Sequence, residues 1–176
     1  MALISKANFA STLIILILTL GTISYANAMD VDTFLKTAKK TMKAVKKNKV
    51  RNVDDLIAQQ KELIRIGIEG CLEFAEKNPA DAKMMHLIVL NSLKMQNLSL
   101  EQIEAEWHAG GYLRAHGIDI DKFTQADVQV NYYDSIVHPA TAIIALNEYK
   151  KSQDPALLEQ VHDELAEVVH HVEGLR

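Results

Sequence analysis

The chain has 176 residues, 48% of them hydrophobic, with 19 Lys and Arg against 23 Asp and Glu and a formal net charge of -4. Its first 28 residues hold one lysine and no acid around a nearly unbroken apolar run, so the whole-chain average mixes two chemically different segments. The single Cys71 excludes an intrachain disulfide, every multi-cysteine metal motif and covalently attached haem.

Lys6 supplies a sparse positive start, Phe9 to Ile23 an apolar centre, and Ala26-Asn27-Ala28 the small residues that a signal peptidase reads. Residues 1–28 therefore read as a cleavable signal peptide, with Met29 the first mature residue. The apolar run is shorter than the roughly 20 residues that span a bilayer, so no permanent membrane span is expected after cleavage. The location expected is periplasmic or otherwise exported. Residues 29–176 are expected to form a single helical domain. Between Asp30 and Arg51 eight basic residues face two acids, which leaves the remainder of the mature chain strongly acidic. The first helix is thus expected to dock electrostatically against the rest, and export with overall acidity argues against a nucleic-acid partner.

Val31, Phe34, Leu35, Ala38, Met42 and Val45 recur at helical spacing and define a first amphipathic helix. Asn52 with Asp55 offers an N-cap for a second, whose apolar stripe runs from Leu56 to Ala75. Asn78-Pro79 reads as the start of a third helix, apolar enough from Met85 to Met95 to be placed at the centre of a bundle. Ser99 and Gln102 spell a capping box for a short helix that Gly110-Gly111 weakens or stops. Thr124 with Asp127 is expected to cap the next segment, which Pro139 either kinks or divides. Asp154-Pro155 opens a last helix with Leu158, Val161, Leu165, Val168 and Val172 as its seam. The fold class expected is all-α, an antiparallel four-helix-bundle-like domain with an additional short or broken helix.

Three of the seven histidines and three of the tyrosines lie between residues 108 and 138, close to Trp107, in the least regular part of the chain. Such side chains combine apolar surface with polar edges, so Trp107, His108, Tyr112, His116, Tyr133 and His138 are the candidate ligand-binding residues. The competing reading is that they wedge an irregular connection into the core. Glu104/His108 and Asp134/His138 are each four residues apart, a spacing that gives a helix-stabilising pair or two metal ligands on one face. A metal site joining His108, His116 and His138 needs three segments to converge. The two Glu-x-x-His patterns at Glu159/His162 and Glu167/His170 share one helix about 12 Å apart, so they cannot build a di-iron centre together. His162, His170 and His171 are placed on the flank of that helix. Non-covalent haem on Met42, Met84 or Met95 with His86 or His170 is a further alternative.

The function expected is that of a non-catalytic periplasmic binding or accessory protein, recognising a small molecule near the Trp107 to His138 segment. The alternative is a metal- or haem-binding helical-bundle protein in redox or metal handling. The cofactor, and the metal residues with it, stay open at this point. The partners expected are a small molecule or an envelope protein, with a homo-oligomer also open. No nucleophile elbow, phosphate loop or paired-acid arrangement supports catalysis.

Overall fold

The computed structural model describes residues 29–46, 50–124 and 126–176. The expected signal peptide, residues 1–28, lies outside the described residues, as do Lys47 and Lys49 of the basic run. Among the described residues all regular structure is helical. The elements are α1 (Val31–Val45), α2 (Val53–Lys77), α3 (Ala82–Met95), α4 (Leu100–Ile103) running into a π-helical turn (Glu104–His108), α5 (Gly111–Ala115), a 3-10 turn (Ile120–Lys122), α6 (Val128–Ser152) and α7 (Pro155–Glu173). The chain is an all-α helical bundle. Helix α1 packs on α2 and α7, α6 packs on both of those, and α3 lies against α2 and α6.

Capping chemistry sets most boundaries. Asp30 accepts from the Thr33 amide at 3.0 Å and Asn52 from that of Asp55 at 3.3 Å, opening α1 and α2. Ser99 and Gln102 exchange both bonds of the capping box, at 3.1 and 2.9 Å. Asp154 accepts from Ala156 at 3.0 Å with Pro155 in the first turn of α7. The seam residues Leu158, Val161, Leu165, Val168 and Val172 of α7 are all buried, as are Phe34, Leu35, Ala38 and Val45 of α1. Ion pairs join the two helices, Lys39 to Glu173 at 2.7 Å and Arg176 to Asp32 at 2.5 Å. Both pairs are exposed and screened by water, so the apolar face, more than charge, seats α1.

Three boundaries depart from the sequence expectation. Asn78 ends α2 instead of opening α3, because its side-chain amide donates to the Phe74 carbonyl at 2.9 Å. Helix α3 then begins at Ala82, and the Asp81 carboxylate, free of capping duty, accepts from Gln129 at 3.1 Å. Asp127, not Thr124, is the N-cap of α6, and its carboxylate accepts from the Thr124 amide at 2.6 Å. Pro139 neither ends nor divides α6, a helix of 25 residues that continues past it to Ser152. A proline removes one ladder bond, to the carbonyl four residues earlier, here Ser135. The surrounding burial holds the helix together at that point: residues 133–146 are buried without a break.

The central helix is therefore α6, not α3. Leu90 and Leu93 of α3 are 79% and 74% exposed, so that helix flanks the bundle. Close approach of α2 to α6 is made by Gly67, where an added Cβ would lie 2.9 Å from the Ser135 carbonyl oxygen. Cys71, one turn on, is buried and donates to the Tyr132 carbonyl at 3.4 Å. Burial pushes its thiol far above the ordinary range, so Cys71 is a packing residue.

Candidate functional site

The helical repeat of α6 stacks Asn131, Asp134, His138 and Thr141 on the side of the helix that faces α7 and the π-helical turn. From α7, Glu164, Glu167 and His171 meet that face, again at spacings of three and four residues. The third contributor is His108, at the end of the π-helical turn. There the Ala109 amide reaches back five residues to the Glu104 carbonyl at 2.7 Å, so residues four apart no longer share a face. Glu104 is left exposed while His108 turns inward, and His108 pairs with Thr141 and Glu164 instead of with Glu104 as the spacing suggested.

His138 is the centre of the cluster, 3% exposed. Its Nδ1 lies 2.7 Å from Glu164 Oε2, a hydrogen bond in which the imidazole N–H donates to the carboxylate. Its Nε2 faces the other way, 3.7 Å from Asp134 Oδ1. His171 Nδ1 lies 3.4 Å from Asp134 Oδ2 and 3.2 Å from Asn131 Oδ1, and its Nε2 is 3.9 Å from Glu167. His108 Nε2 is 2.8 Å from the Thr141 hydroxyl and 3.7 Å from Glu164 Oε2. The His108 and His138 rings meet edge to face with centroids 5.0 Å apart.

Burial and charge divide the protonation states of this group. Burial pushes the Asp134 carboxyl up to about 7, with Glu164 and Glu167 adding to the rise and His138 opposing it. Burial also acts to lower the His138 imidazole, but the bond to Glu164 and the charges of Asp134, Glu164 and Glu167 outweigh it and hold it above its ordinary value. His108 and His171 are lowered, chiefly by burial, with the His138 charge acting in the same direction.

Two sets of donor atoms lie within 4.8 Å of one another: Asp134, His138 and His171, and His108, His138 and Glu164. They use opposite nitrogens of His138 and differ in kind. In the first, His171 Nδ1 stands 3.4 Å from Oδ2 and His138 Nε2 3.7 Å from Oδ1 of the Asp134 carboxylate, close to the edge of a tetrahedron, about 3.4 Å for metal–ligand bonds of roughly 2.0–2.2 Å, and an ion there would displace the 3.2 Å bond of His171 to Asn131. In the second, the 2.7 Å contact is a hydrogen bond already made. The pattern is that of a ligating imidazole whose remote N–H is oriented by a carboxylate. Such an arrangement can hold a divalent ion with two nitrogens and one oxygen, leaving coordination positions for other ligands.

A pocket of about 200 Å³ opens beside the cluster, reaching Trp107, His108, Tyr133, Asp134 and His138. Four of the six candidate ligand residues thus border one space. Tyr112 and His116 stand behind Trp107: Tyr112 stacks on it at 4.6 Å and hydrogen-bonds Asn91 at 3.2 Å, and the exposed His116 stacks on Tyr112 at 4.2 Å. His171, expected on the flank of α7, is instead buried in the cluster, and Glu164 carries no sequence expectation. The signal for His171 was its place three residues beyond Val168 on the seam of α7, which turns it inward, whereas His86 and His170 are exposed. Met84 and Met95 are core residues.

The chain matches no protein-family model, and comparison with curated proteins and with solved structures finds no match. The functional reading therefore rests on the chemistry of the cluster.

Proposed function

We propose that this is an exported metal-binding helical-bundle protein that holds one first-row divalent ion through Asp134, His138 Nε2 and His171 Nδ1. The observation that carries the reading is the two-sided environment of His138. Its Nδ1–H is bound to Glu164 at 2.7 Å, which fixes the tautomer and aims the Nε2 lone pair at the space shared with Asp134 and His171. Two imidazoles and a carboxylate suit Zn(II), Fe(II) or Co(II) better than a soft ion, which favours thiolates, or Mg(II), which favours oxygen. The ion also supplies positive charge to a buried group that otherwise gathers three carboxylates around His138.

A metal is favoured over an organic molecule as the occupant by size. Pockets that enclose a small organic molecule run from roughly 300 to 1,000 Å³, and the one here is about 200 Å³. Haem requires far more room than that. Export through residues 1–28 belongs to the same proposal.

The test is titration of the metal-stripped protein with Co(II), followed by its visible d–d bands, with Zn(II) as competitor. One ion per chain is expected, displaced by Zn(II), with binding lost in His138→Ala and His171→Ala. Absence of stoichiometric uptake, or uptake that both variants retain, would overturn the proposal.

A further inference from the structure

The pocket beside the cluster has walls of Trp107, Ile120, Phe123, Val130 and Tyr133, and it reaches Asp134 and His138 at its base. Two of the three proposed ligands, Asp134 and His138, line it, so the pocket borders the proposed ion. Three protein donors leave at least one coordination position for something that enters here.

The walls define what can enter. Tyr133 reaches the pocket but donates its hydroxyl to the Trp107 carbonyl at 2.6 Å. The Thr124 hydroxyl donates to Asp127 at 3.1 Å, and His108 Nε2 is occupied by Thr141 at 2.8 Å. These groups, which elsewhere would hold an anion, are engaged with the protein. Among the described residues no lysine or arginine lines the pocket, whereas Asp134 and Glu167 do, and Glu164 is bonded to His138. Three carboxylates around one dication repel a further negative charge. A volume of about 200 Å³ corresponds to roughly six or seven waters at about 30 Å³ each, so the guest has only a few heavy atoms.

Resting on the metal reading above, we infer that the pocket admits a small neutral molecule with an apolar body and one lone pair, which binds directly to the Asp134/His138/His171 ion. A diatomic gas is the smallest member of that class. The aromatic and aliphatic walls favour such a guest by apolar contact, and the ion supplies the single polar anchor.

The experiment uses the full Co(II)-loaded chain under anaerobic conditions, with nitric oxide as the neutral probe and azide as an anion of comparable size. Nitric oxide is expected to shift the d–d bands with one molecule per cobalt, and azide at the same concentration to leave them unchanged. Val130→Phe, which fills the pocket, should keep the cobalt bands and weaken nitric oxide binding by about tenfold or more. Thr124→Trp, at an exposed position on the pocket rim, gives a second obstruction that does not load the core. Cobalt bands that ignore nitric oxide, azide that binds as well as nitric oxide, or nitric oxide affinity that neither variant changes would overturn this inference and leave the metal site standing. Failure to take up Co(II) would remove the metal reading and this one with it.

Discussion

The two sides of the His138 ring are built from the same residue types and do different things. On the Nε2 side, the Asp134 carboxylate stands 3.4 Å from His171 Nδ1 and 3.7 Å from His138 Nε2, apart enough to converge on a shared ion once His171 gives up its 3.2 Å bond to Asn131. On the Nδ1 side, Glu164 is already closed onto the imidazole at 2.7 Å, and His108 is tied to Thr141. Proximity of histidines and acids alone does not separate a ligand from a positioning group. What separates them is whether carboxylate and imidazole have closed onto each other, as Glu164 and His138 have at 2.7 Å, or stand apart, as Asp134 does from His138 and His171.

Substitutions on the two sides should therefore differ in size. Removing a ligand should have the largest effect: His138→Ala or His171→Ala is expected to abolish stoichiometric Co(II) binding in the titration. Glu164→Gln keeps the shape but weakens the hold on the imidazole N–H, and a 10- to 100-fold loss of affinity is expected, about the usual effect of such outer carboxylates. His108→Ala should change affinity by less than about tenfold, because His108 stands outside the Asp134/His138/His171 set and touches His138 only ring to ring. Equal losses in all four variants, read by competition with a chelator, would erase the distinction between the two sides.

The metal-free protein offers a smaller, independent test. Asp134 has a folded-state pKa of about 7 against an ordinary 3.8, so across that window the folded chain keeps a proton that the unfolded chain has released. Its contribution to stability must fall as pH rises from about 4 to about 7, and then level off. His138, held above its ordinary value, acts in the same direction, its contribution being lost as pH rises through its folded-state value. His108 and His171, held below theirs, favour the folded state as pH rises toward 6.5. Glu164 and Glu167 are the remaining titratable groups facing Asp134. Comparing the melting temperature of metal-free Asp134→Asn with that of the natural chain isolates the Asp134 contribution. The variant should gain relative to the natural chain between pH 4 and pH 7; a constant difference would contradict the placement of a buried, proton-retaining carboxyl here.

How much of this was legible in the sequence follows from what periodicity can report. Helices with one buried face, α1, α2 and α7, announce themselves through an apolar stripe, and their caps at Asp30, Asn52 and Asp154 are local chemistry. Helix α6 is buried on every side through residues 133–146, so it carries no stripe to read, and Pro139 makes it look interrupted. Helix α3 is apolar enough to pass for a core helix, yet Leu90 and Leu93 face solvent. At the site, the Asp134/His138 spacing was visible because both residues lie on one regular helix. Glu164 and His171 acquire their meaning only when α7 is laid against α6. The π-helical turn reversed the reading of Glu104/His108, because a five-residue backbone bond breaks the four-residue register that the spacing assumes.

The central claim is the position of one ion, and anomalous diffraction from crystals of the Co(II)-loaded protein measures it directly. The account predicts a single strong peak about 2.0–2.2 Å from an Asp134 carboxylate oxygen, His138 Nε2 and His171 Nδ1, with Glu164 still bonded to His138 Nδ1. A peak on the Nδ1 side, between His108 and Glu164, or a peak only at surface histidines such as His86 or His170, would contradict it.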